Sequence, residues 1–166
     1  MKKVALACAL LTMLFLLACE TGQTTDTPEV TAAAAPGVSA LNKTLEKVSI
    51  GGFAYKSSAI PSWEYDTWAK VSTPLVQQTL TQVPEGYVLQ VTGHADSSGP
   101  EQAVGSKPGN IKLSTDRAKA VHTSLQKNGI TSDKLTYKGV GSSQPLEGIS
   151  GNDAKQRRVS FVVVPK

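Results

Sequence analysis

Two short segments of this chain carry residue types that could bind a charged ligand. Gly93-His94-Ala95-Asp96 sets a carboxylate at the end of an apolar run. Asn110-Ile111-Lys112-Leu113-Ser114-Thr115-Asp116-Arg117-Ala118 opens a helical stretch with an arginine close behind its start. With Ser114 as the N-cap, Arg117 falls in the first turn, where the partial positive charge of the helix end disfavours a cation unless an anion compensates. A guanidinium beside a helix N-terminus makes a carboxylate site, and an acid facing it takes an ammonium. Asp96 and Arg117 are therefore expected to receive a zwitterion, an amine and a carboxylate side by side. Purely structural roles compete: Asp96 as a turn cap, Arg117 as a partner for Asp96 or Asp116. A resting Asp96–Arg117 contact that the zwitterion then replaces fits both.

Catalytic chemistry finds little to work with. Both cysteines, Cys8 and Cys19, lie within the first nineteen residues, so the rest of the chain has no thiol for a nucleophile, a disulfide or a metal. The serines have no evident His/Asp partner set. His94 and Asp96 share a face only if their strand continues, and with His122 they lack a third ligand at useful spacing. The expectation is no catalytic residue, no metal and no cofactor; a cell-wall hydrolase is the least supported reading.

The elements that must position Asp96 and Arg117 follow from periodicity. Val48–Tyr55 reads as a strand with a bend at Gly51-Gly52. Asp66–Val83 has helical spacing through Trp68, Val71, Leu75, Val76, Leu80 and Val83, interrupted by Pro74, which predicts a kink or a second helical piece capped by Thr73. Tyr87–Thr92 is a strand. Ser114–Asn128 is a helix with Ala118, Val121 and Leu125 inward, closed by a left-handed Gly129 with Ile130 folding back on Leu125. Lys134–Gly139 and Arg158–Val164 are the last strands. The expected fold is α+β in the order β-α-β-α-β-β, with two main helices on one face of a small mixed sheet. Of the two arginines before the last strand, Arg157 is favoured for the pocket rim or a loop carbonyl. Trp68 belongs to the core, while Trp63 and Tyr65 stay open as sugar-stacking residues.

The N-terminus predicts location. Met1-Lys2-Lys3, an apolar run from Val4 to Leu17 and the ending Leu16-Leu17-Ala18-Cys19 form a secretory leader, residues 1–18, too short for a spanning helix. Residues 19–40, rich in Thr, Ala, Pro and Gly, read as a flexible tether with an r.m.s. reach of roughly 25 Å. Residues 41–166 form one domain. Net charge is +4, and +2 once Lys2 and Lys3 leave with the leader. Residues 20–40 carry three acids and no base, whereas residues 41–166 carry fifteen Lys/Arg against ten Asp/Glu. The scattered bases argue against nucleic acid.

Taken together and in order, these pieces resemble a known family. Phe53-x-Tyr55, Gly93-His94-Ala95-Asp96, Asn110-x-x-Leu113-Ser114-x-x-Arg117-Ala118-x-x-Val121, Leu125, Gly129-Ile130, Gly139-x-Gly141-x-x-x-Pro145 and Arg157-Arg158-Val159 are similar to the OmpA-like C-terminal domain, which includes the peptidoglycan-associated lipoproteins. The ending at Cys19 resembles a lipobox, which implies acylation of Cys19. With the Gly-Pro-Glu-Gln insert at 99–102, the chain is most similar to a spirochaetal outer-membrane lipoprotein of this family. The resemblance implies a lipid-anchored outer-membrane protein whose periplasmic domain binds the stem peptide of peptidoglycan. It further implies that Asp96 takes the amine of diaminopimelate, that Arg117 takes its carboxylate, and that Asn110 and Leu113 shape the pocket. Three departures leave diaminopimelate and ornithine both open: Lys56 where an aspartate is common, a longer 97–108 loop, and Gln156 for asparagine. A surface-exposed lipoprotein that binds host matrix molecules is the alternative.

Overall fold

The computed structural model describes residues 35–166; the leader, Cys19 and most of the tether lie outside the described residues. The elements run α1 (Val38–Leu45), α2 (Ser62–Gln82), β1 (Tyr87–Gly93), α3 (Gly109–Lys127), β2 (Leu135–Gly139) and β3 (Val159–Pro165). The sheet order is β2-β1-β3, with β1 parallel to β2 and antiparallel to β3. This is the expected α+β arrangement with a small mixed sheet. Among the described residues, no helix is long and apolar enough to cross a membrane.

Alternation along the strands decides where the core lies. Leu89 and Val91 of β1 pair with Val163 and Phe161 of β3, so one face of the sheet is apolar. Ala118, Val121 and Leu125 of α3 and Val76 and Leu80 of α2 join that face in a single buried cluster. The Trp68 ring stacks on Phe161, with centroids 5.8 Å apart. The end of α3 is a Schellman closure: Ile130 N–H donates to Leu125 O and Gly129 N–H to Gln126 O, with Gly129 at φ 87°.

Several boundaries differ from the sequence reading, each for a local reason. The first strand contracts to one bridge, Ile50 to Val159, because Gly52 at φ 75° and a turn at Tyr55-Lys56 take the chain away from the sheet. Helix α2 runs unbroken through Pro74, and its inner stripe passes through buried Ser72, leaving Val71 75% exposed. Helix α1 begins at Val38, inside the segment assigned to the tether. Val38 is buried in the core, and Ala35 N–H donates to the Tyr87 hydroxyl. The Asn42 side chain donates to Val163 O and accepts from Val163 N–H, occupying the free edge of β3 as a strand would.

Helix α3 starts at Gly109 rather than Ser114. Gly109 has φ 77°, and the carbonyls of Pro100 and Glu101 accept from the Asn110 and Ile111 N–H groups, so the loop satisfies the helix end. Ser114 is an interior residue. Its hydroxyl donates to Ile111 O and accepts from Gly141 N–H. Arg117 therefore lies two turns into the helix and away from its terminal amides.

Candidate functional site

The C-terminal end of β1 delivers the acid. Beyond Gly93 the chain stays anchored: His94 N–H bonds Arg158 O, Ala95 N–H bonds Gly141 O and Ser97 N–H bonds Gly151 O. Glycine is required at Gly93 and Gly139, because a Cβ at either would fall on the backbone of Ser114 or Thr115; α3 thus lies directly on the strand ends. Asp96 is only 5% exposed. Its carboxylate accepts from Ser98 N–H at 3.0 Å and from Arg157 Nη1 at 3.0 Å. Burial pushes the Asp96 carboxyl up, but the Ser98 and Arg157 hydrogen bonds outweigh it and hold the group below the usual carboxylate range.

Arg117 has no exposed surface. Nε donates to Ser57 O, Nη1 to His94 O and Nη2 to Ala54 O, and the guanidinium lies over the Phe53 ring at 5.5 Å. Burial brings its pKa down to about 10, against the pull of the Asp96 charge. The expected Asp96–Arg117 contact is not made: the ion pair of Asp96 is with Arg157, which also donates to Phe53 O. Arg117 instead ties the 54–57 turn to the end of β1. The carbonyls it binds belong to a segment that sequence periodicity assigns to a strand and a connection, so this role was hidden.

One cavity of about 370 Å³ collects the sequence-derived residues. Asp96, Asn110, Leu113 and Arg117 all line it, while Arg157 stands behind Asp96 and lines a neighbouring cleft. Asn110 is buried, and its amide donates to Gly99 O and Glu101 Oε1. Asp96 keeps unused acceptor capacity, since two hydrogen bonds fill about half of a carboxylate's lone-pair positions. Arg117 keeps two of its five N–H groups uncommitted. A buried acceptor and a buried cation thus border one small cavity.

A family model for the OmpA family matches residues 52–158, more than half of the chain and all of this cavity. This chain belongs to the OmpA family. A relative named outer membrane protein A, from Atlantibacter hermannii, is 30% identical over 129 residues, covering 75% of this chain and 51% of its own. The chain thus spans about half the length of such relatives. The peptidoglycan-associated lipoprotein from Burkholderia pseudomallei superposes with a TM-score of 0.51 at 21% identity, covering 70% of this chain and 89% of that one. The C-terminal domain of Helicobacter pylori MotB gives 0.51 at 18%, covering 71% and 84%. At these identities the two structures speak to the fold.

In this OmpA-family domain the residue that sequence reasoning missed is Glu101. Its carboxylate accepts from Asn110, from Ser142 N–H and, through a short contact, from the Ser142 hydroxyl. Burial raises its pKa, but those bonds outweigh the rise and hold it below the carboxylate range. Gly141, at φ 59°, lacks the Cβ that would collide with it. Only the insert Gly99-Pro100-Glu101-Gln102 pointed there. The histidines do not converge on Asp96: His94 Nε2 pairs with Ser160 Oγ at 2.8 Å, and the His122 ring packs on Tyr137. Among the described residues no cluster of His, Cys, Asp and Glu could hold a metal ion. Tyr65 packs against Trp68 beside the core.

Proposed function

We propose that this chain binds peptidoglycan non-covalently through its stem peptide, as a lipid-anchored outer-membrane protein that holds the membrane to the wall. The observation that carries this reading is the shared cavity. Asp96 offers a low-pKa carboxylate with free acceptor positions, and the charge of Arg117 stands in the wall of the same space. An ammonium on the ligand docks on Asp96, and the adjacent carboxylate is drawn to the Arg117 side, where exclusion of water strengthens the attraction. Arg117 is fully covered, so it acts through its charge rather than as an open fork. Asn110 fixes the floor by holding the 99–101 backbone, and Leu113 supplies the apolar contact for the methylenes between the charged ends.

Family membership and the names carried by the relatives support the envelope setting. The lipobox ending at Cys19 supports the anchor and the periplasmic placement of the domain. Binding at each site can be modest, because the wall is a polymer and a tethered domain meets it at high effective concentration.

The test is co-sedimentation of residues 33–166, a compact unit, with purified sacculi. The variants are Asp96→Asn and Asp96→Ala, with fold verified by circular dichroism. Wild type should pellet with the wall and both variants should stay in solution. Equal pelleting of all three would overturn the Asp96 site, and no pelleting at all would overturn the function.

A further inference from the structure

The cavity is not electrically balanced. Asp96 is its single acidic lining residue, and Arg157 already answers that charge from behind. Three cations line the same space: Arg117, Lys56 and Lys107. Neither lysine has a carboxylate within ion-pair distance among the described residues. A ligand with one ammonium and one carboxylate would leave this surplus unanswered.

Both lysines sit on backbone that local hydrogen bonds fix. Lys56 is the one described non-glycine residue with positive φ, 56°, a conformation that L-residues adopt at a cost. Its turn is closed by Ser57 N–H to Ala54 O, and Arg117 donates to the carbonyls at both ends of that turn. The buried arginine therefore fastens the turn that brings Lys56 to the mouth. Lys56 Nζ lies 5.1 Å from the centroid of the Tyr55 ring, with no anion engaged. Lys107 closes a tight hairpin, Val104 N–H to Lys107 O and Lys107 N–H to Val104 O, with Gly105 at φ 57°. The same loop is pinned at its start by Glu101.

Resting on the stem-peptide reading above, we propose that Lys56 and Lys107 determine specificity by binding a second carboxylate. The ligand is then a net-anionic peptide that carries at least two carboxylates around its free ammonium. A peptide whose neighbouring carboxyl is amidated, or whose diamino acid lacks a side-chain carboxylate, binds less well.

Calorimetry on the full chain in detergent tests this with two synthetic stem tripeptides. One is N-acetyl-Ala-γ-Glu-diaminopimelate amidated at its C-terminal carboxyl, which keeps one ammonium and two carboxylates. The other is the same peptide with the glutamate α-carboxyl also amidated, which keeps one of each. Wild type should prefer the free acid by up to about tenfold, the sum of two exposed ion pairs, and the preference should shrink with added salt. The double variant Lys56→Gln/Lys107→Gln should bind both peptides with the affinity wild type shows for the amide. Equal binding of the two peptides by wild type, or a preference that survives in the double variant, overturns the lysine assignment alone. Undiminished binding by Asp96→Ala, or no binding of either peptide by wild type, overturns the stem-peptide reading beneath it.

Discussion

The two ends of β1 are built on different physics. At the end that starts with Tyr87, Val88 and Leu89 the strand is closed by apolar side chains, with Leu89 and Leu135 in one cluster with Val163, Ile130 and Leu125. At the other end, beyond Gly93, the chain enters a buried polar network: His94, Asp96, Asn110, Arg117 and Gln156 are all nearly inaccessible to water. Apolar burial is non-directional and tolerates small shifts. A buried polar group costs free energy for each bond it forgoes, and here His94 Nδ1 is left without a partner, so the second end depends on the geometry of the bonds it does make. Its cavity is therefore the place where a ligand's charge can change the balance.

Perturbing one end or the other separates these regimes. The largest effect should come from Arg117→Ala, which strands the carbonyls of Ala54, Ser57 and His94 and frees the 54–57 turn; about 3–5 kcal/mol of stability should be lost in urea unfolding. Arg117 thus cannot serve as a clean ligand-contact variant, contrary to what its charge alone suggests. Leu125→Ala, at the apolar end, should cost about 3 kcal/mol with wall binding per folded molecule unchanged, measured by the same unfolding together with sedimentation.

Acid should distinguish the ends next. Burial, aided by the Arg158 charge, holds His94 near pKa 4 against 6.5 unfolded. The unfolded chain then binds the extra proton first, so stability is fully present above pH 6.5 and falls as pH drops toward 4, by about 2–3 kcal/mol. His94→Gln should flatten the urea-midpoint profile across that window. Asp96, with its lowered pKa, loses its contribution only at lower pH, as pH falls through its folded value. A His94→Gln profile as steep as wild type would show that the dependence arises elsewhere.

Asp96→Ala should be milder for stability, about 1–3 kcal/mol, because it leaves Arg157 without its partner, yet it should abolish most binding to sacculi. The smallest change has the opposite sign. Lys56→Gly should raise stability by up to about 1 kcal/mol, since glycine adopts φ 56° freely, while weakening the preference for the diacid peptide. A loss of stability instead would place the Lys56 side chain among the structural contacts of the turn.

Legibility in the sequence follows the same division. Strand β1, strand β3, the inner stripe of α3 and its Gly129 closure could be read from period and composition, because burial of apolar area writes itself into spacing. Asp96, Asn110, Leu113 and Arg117 were legible as a set through the family's motifs, and they do line one cavity. Their bonding was not. Asp96 pairs with Arg157 and Arg117 with three carbonyls, because a guanidinium's partners come from backbone distant in sequence, at separations of 23 to 63 residues. The start of α3 was misplaced for the same reason: its first N–H groups are capped by carbonyls of the preceding loop, not by the side chain of Ser114. The first strand looked continuous because Val48, Ile50 and Phe53 are all apolar and buried, but only Ile50 pairs with the sheet.

The hold of Asn42 on Val163 also has a mechanical meaning. Tension applied to the chain at Ala35 meets the Tyr87 hydroxyl at the start of β1 and then α1, which holds the edge of β3 through the two Asn42 bonds. Val163 pairs with Leu89, four residues short of Gly93, which is about 13 Å along the strand. The Asp96 cavity lies beyond that point again. A pull at Ala35 is thus borne by the apolar end of the sheet, and the cavity at the far end is the last part of the domain to feel it.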